Sequence, residues 1–145
     1  MIMKFLALLL FSSLCVPVVA KTLTATCKDS SGWSVGYETG KAVSDLDGFK
    51  TSVFVYSWEI GSSSATVITQ SSSAAGGAPS TEKAVVIEKP SFVSFLITYE
   101  RGIWLHTFFP ATKVVMITRH IDGRGMTIDS AAGSLFHAKC SAAIN

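Results

Sequence analysis

The chain has 145 residues, 48% hydrophobic and 15% charged, with 12 basic against 10 acidic side chains and a formal charge of +2. So even a balance gives no electrostatic basis for binding nucleic acid or an anionic membrane, and the length suits one domain with one modest core. No nucleophile elbow, metal-ligand spacing or phosphate-binding loop stands out.

Residues 1–20 read as a signal peptide. Lys4 supplies the positive start, residues 5–14 an apolar stretch, and Val18-Val19-Ala20 a small-residue cleavage site before Lys21. The apolar stretch is short for a membrane span and has no stop-transfer flank, so no integral span is expected. Cys15 follows Leu14, where a lipoprotein signal needs a small residue. These features predict an exported protein, periplasmic or extracellular, with a single domain over 21–145. Its two remaining cysteines, Cys27 and Cys140, lie near its ends, and in an oxidising compartment they are expected to form a disulfide rather than two buried thiols.

Residues 22–28 (TLTATCK) alternate Leu23, Ala25 and Cys27 with threonines, the period of a half-buried strand. Asp29-Ser30-Ser31-Gly32 is turn chemistry, and Trp33, Val35 and Tyr37 follow at period two as a second short strand. Residues 41–47 (KAVSDLD) are the one place where a helical turn competes, since Ala42, Val43 and Leu46 recur at helical spacing. Residues 49–60 form a strong strand with Phe54, Tyr56 and Trp58 on one face, and residues 65–70 are its hairpin partner. Residues 71–82 (SSSAAGGAPSTE) offer too little apolar area to offset ordering entropy, which predicts a mobile loop. Residues 84–88 are another short strand.

Residues 91–120 read as a three-stranded meander. A three-residue loop, Glu100-Arg101-Gly102, places Tyr99 opposite Ile103, Ile97 opposite Leu105 and Phe95 opposite Thr107. In that register Val114, Met116, Thr118 and His120 join this first face. Leu96, Trp104, His106, Phe108, Val115, Ile117, Arg119 and Ile121 then form an opposite face too apolar for open solvent. Residues 126–129 are strand or irregular, and residues 134–140 close the chain with Phe136, Ala138 and Cys140 on one side. The sum is an all-β domain of about eight to ten short strands with at most one short helix, a small antiparallel barrel or sandwich.

Trp104, His106, Phe108 and Arg119 are the candidate binding residues: a period-two stripe of rings beside a guanidinium either fills a second core layer or presents a stacking surface for an anionic group. His106, His120 and His137 all fall late in the chain, with His120 and His137 as diagonal neighbours if their strands pair. Two imidazoles make a weak metal site, and no metal or cofactor is expected. Carboxylate pairs such as Asp45 with Asp47 or Glu59 with Glu88 carry no mark beyond their presence, so no enzyme is expected.

An export signal, an early cysteine, a strand-rich middle and the ending Phe136-His137-Ala138-Lys139-Cys140 resemble the small uncharacterised exported proteins of Gram-negative bacteria, which imply no activity. A more distant resemblance is to the barrel-shaped periplasmic inhibitors of C-type lysozyme. Their Ser-Gly-x-x-Tyr loop lies in mid-chain, whereas here Ser31-Gly32 and Tyr37 stand near the start at a wider spacing, so no inhibitory residue is carried over. The expected function is a non-catalytic binding or interaction module whose ligand is a small molecule, glycan, lipid or protein. The alternatives are a self-associating envelope protein, in which case a homo-oligomer is expected, and, behind these, a periplasmic enzyme or a lysozyme inhibitor.

Overall fold

The computed structural model describes residues 20–38, 40–47, 52–70, 78–122 and 131–145. Nine strands account for nearly all of them: β1 (Thr22–Glu38), β2 (Lys41–Asp47), β3 (Val53–Glu59), β4 (Ser64–Gln70), β5 (Ser80–Lys89), β6 (Phe92–Tyr99), β7 (Gly102–Phe109), β8 (Val114–Asp122) and β9 (Ala131–Ile144). Neighbours pair antiparallel in the order β1-β3-β4-β5-β6-β7-β8-β9, and β9 returns to β1, which closes an eight-stranded barrel with β2 as one extra strand. The all-β expectation holds, and the choice between barrel and sandwich falls to the barrel. The expected signal peptide lies outside the described residues, apart from Ala20, and so do residues 126–129.

The predicted turn at residues 29–32 is instead a bulge inside one bent strand. β9 pairs with both halves of β1, and the register shifts between Lys28 and Ser31, where Asp29 takes φ 55°. An Asp tolerates that left-handed conformation, and the extra residue swings the strand. Below the bulge β1 faces β3, with Cys27 opposite Phe54; above it β1 faces β2, with Trp33 opposite Leu46. The competing helical turn at 41–47 is therefore strand β2, because pairing along β1 supplies its backbone partners. Of the predicted loop at 71–82, Ser80, Thr81 and Glu82 belong to β5 and pair with Thr69, Ile68 and Val67, while residues 71–77 lie outside the described residues.

The β6–β7 connection is a two-residue loop, with Tyr99 opposite Gly102 rather than Ile103. A slip of one residue exchanges the faces of a strand. Trp104, His106 and Phe108 thus join Phe95 and Ile97 on the inner face, and Val115, Ile117, Arg119 and Ile121 follow them through the β7–β8 register. Gly102 misled the turn assignment because it serves a different need. A Cβ there would run into the His120 carbonyl, so this glycine allows β8 to approach β7 closely. Met116, Thr118 and His120 consequently lie on the outside.

The barrel is filled by Leu23, Phe54, Tyr56, Trp58, Val67, Val93, Phe95, Phe108, Val115, Ile117 and Phe136, all buried. Lys28, Lys83, Lys89 and Lys139 stand exposed outside. The apolar interior differs from the polar lumen of a transmembrane barrel, and the exterior mixes these lysines with exposed apolar side chains such as Trp33, Val85, Ile87 and Leu135. No helix among the described residues is long and apolar enough to cross a membrane. Cys27 and Cys140 are directly opposite each other on β1 and β9, Cα to Cα 4.0 Å, and form the expected disulfide, which joins strands 113 residues apart in sequence.

Candidate functional site

The barrel interior changes character toward the end at which β4, β6 and β8 finish. The strand registers stack it in rows. Phe95, His106, Ile117 and Phe136 make one row; the next, nearer that end, is Ile97, Trp104, Arg119, Ser134 and Ser34. Polar groups thus enter one layer above an apolar core. Arg119 donates from Nη2 to Ser134 Oγ at 3.1 Å, and its guanidinium carbon lies 5.4 Å from the Trp104 ring centre and 5.9 Å from that of Phe136. A guanidinium sandwiched by two ring faces keeps favourable charge contacts without leaving the barrel.

Rings run in a column from this layer down. Tyr99 meets the edge of Trp104 at 5.9 Å, Trp104 stacks on His106 at 5.7 Å, and Tyr56 stacks on Phe95 at 5.0 Å. Tyr56 and His106 share a hydrogen bond of 2.7 Å between Oη and Nδ1. Burial lowers the His106 pKa from 6.5 to about 3, so the imidazole is neutral, and burial also holds the Tyr56 phenol protonated. Two assignments satisfy that bond. If the Tyr56 hydroxyl donates to Nδ1, only the Nε2–H of His106 is left over; if Nδ1 donates, both the hydroxyl proton and the Nε2 lone pair are. The first leaves fewer buried groups without a partner and is the state we assign. Nε2 has no hydrogen-bond partner among the described residues.

Above the column the lumen opens into a hollow of about 360 Å³. Tyr99, Trp104 and Ile121 supply its apolar wall, Thr69 and Ser80 its hydroxyls, and Arg101 and Asp122 the charged rim. The Thr69 hydroxyl is buried with no partner among the described residues. The Tyr99 phenol is pushed up by burial and then by the Glu82 carboxylate, and stays neutral.

The four candidate residues therefore lie together inside the barrel, but at different depths. Phe108 and His106 have 0% exposure and belong to the packed interior, whereas Trp104 and Arg119 are half-buried in the polar layer and only Trp104 reaches the hollow. Sequence reasoning missed Thr69, Tyr99, Ser34 and Ser134. Ser134 keeps period two with Phe136 and Ala138, a signal that it points inward. The histidines do not converge: His120 pairs with Gly133 and His137 with Met116, four positions along β8, so they are not diagonal neighbours. No three His, Cys, Asp or Glu side chains among the described residues come together as metal ligands.

A larger hollow of about 790 Å³ adjoins the barrel rim, with Val35, Tyr37, Ile103, Ile121 and Gly133 in its lining. It adjoins an exposed apolar band in which Trp33, with 59% exposure, stands beside Leu46 and Leu135. This hollow shares Arg101, Gly102, Ile121 and Asp122 with the hollow at the barrel mouth.

Compared with known proteins, the chain matches no family profile and no curated sequence.

Proposed function

We propose that this protein is an exported, non-catalytic binding module that takes one small, partly flat molecule into the mouth of its barrel. The observation that carries the reading is the hollow above Trp104, where two rings meet a buried hydroxyl, that of Thr69, without a partner. An eight-stranded barrel is just wide enough to be filled by side chains or to hold one small ligand. Here the lower part is filled and, among the described residues, the upper part is open, so an occupant would rest against Trp104 and Tyr99 and bond Thr69. Its volume is at the lower end for small-molecule sites. The Cys27–Cys140 bond is compatible with an oxidising compartment and supports export.

The test is quenching of tryptophan fluorescence in residues 21–145 by a panel of aryl glycosides, aromatic amino acids and short-chain fatty acids. One class should saturate, and Thr69→Val should weaken it about tenfold, the loss of one buried hydrogen bond of roughly 1.4 kcal/mol. Trp33→Ala, which removes an outer ring, should leave binding intact. Equal losses in Thr69→Val and Trp33→Ala, or no saturable quenching by any class, would refute a site at the mouth.

A further inference from the structure

We propose that β2 is a dimerisation edge, with two copies of the chain pairing antiparallel about Val43 so that Lys41 of each faces Asp45 of the other. This does not depend on the reading of the barrel mouth. β2 runs beside the upper half of β1, and among the described residues no strand lies along its other side. Such an edge presents a row of backbone donors and acceptors that can extend the sheet into another chain. Charged side chains ordinarily blunt an edge of this kind, since a random partner meets them without compensation.

Here the charges are ordered so that the strand complements itself. Lys41, Val43 and Asp45 alternate onto one face and all are exposed, Val43 by 59%. A second copy reversed about Val43 brings Lys41 opposite the partner's Asp45, Asp45 opposite the partner's Lys41, and the two Val43 side chains opposite each other. On the other face Ala42 meets the partner's Ser44. Opposite charges directly across a strand pair stabilise it, and like charges destabilise it. A two-fold axis through the Val43 pair uses each edge once, so the assembly closes at the dimer and does not grow into a fibre.

Sedimentation equilibrium on residues 21–145 with the disulfide intact tests this. The wild-type chain should dimerise in the micromolar range. K41D and D45K each place two like-charged pairs in the dimer and should raise its dissociation constant at least about tenfold, whereas the double variant K41D/D45K exchanges the charges and should restore it. W33S, on the outer apolar band, should dimerise like wild type. K41E and D45R, with their double variant, are run in parallel so that misfolding of one protein does not decide the outcome. A monomer at all concentrations overturns the proposal. So does a dimer indifferent to the single reversals, one the double reversal fails to restore, or one that W33S abolishes, since association would then belong to another face.

Discussion

Tyr56 and His106 are hydrogen-bonded at 2.7 Å across the barrel interior, from strands β3 and β7, which are not neighbours in the sheet. The bond ties opposite walls of the barrel, and burial keeps its imidazole neutral. Below pH 6.5 the unfolded chain takes up a proton at His106 that the folded chain does not accept until about pH 3. The contribution is complete above pH 6.5 and is lost as the pH falls toward 3. At about 1.4 kcal/mol per pH unit, His106 should cost the fold roughly 2–3 kcal/mol at about pH 4.5. Urea unfolding of wild type and His106→Gln at that pH and at neutral pH isolates the effect, since the variant keeps the background of carboxylates but loses this titration. Equal acid sensitivity in the two proteins would contradict a buried neutral His106.

The disulfide clamps the first and last strands of the closed barrel. Opening it frees a loop of 113 residues in the unfolded chain, and Cys140→Ser should lower stability by about 2–5 kcal/mol. Alkylation and intact-mass measurement with and without reductant should show two masked thiols in the oxidised protein; two freely alkylated cysteines would contradict the bond.

Phe108 and Trp104 should separate in a denaturation series. Phe108 is wholly buried, so Phe108→Ala should cost about 3–5 kcal/mol, while Trp104→Ala, at the half-buried layer beneath the mouth, should cost clearly less. Equal losses would place Trp104 in the packed core and remove the ring wall from the proposed site.

Gly32 on β1 lies opposite Phe136 of β9. A Cβ there would run into the Leu135 carbonyl and the Phe136 ring. Gly32→Ala should therefore destabilise the domain by about 1–3 kcal/mol, read as a fall in the urea midpoint at unchanged slope. An unchanged midpoint would mean that the two strands are free to part.

Period two was enough to find most of the strands, because an inward residue must alternate with an outward one wherever a sheet covers a core. Leu23, Ala25 and Cys27, then Phe54, Tyr56 and Trp58, then Phe136, Ala138 and Cys140 are all inward as their spacing indicates. The pairing of Cys27 with Cys140 follows from the same alternation on two terminal strands. Glycine was the ambiguous letter. Gly32 and Gly102 look like turn residues, yet each sits within a strand because a neighbouring backbone comes too close for a Cβ. Local sequence has no access to that distance.

The face of Trp104, His106 and Phe108 shows where the two kinds of information divide. Their common side was legible from alternation, but which side it was depended on one residue of loop length between Tyr99 and Gly102. Closure of β9 onto β1 settles it, since a barrel has a single interior and Phe95, Ile97, His106 and Phe108 are all buried there. The mouth is likewise absent from any one segment. Thr69 and Ser80 come from β4 and β5, Tyr99 and Trp104 from β6 and β7, and Ile121 from β8. Alternation along the chain therefore specifies strands, their faces and the disulfide, whereas register and the assembly of the mouth arise from ring closure, which couples residues far apart in sequence.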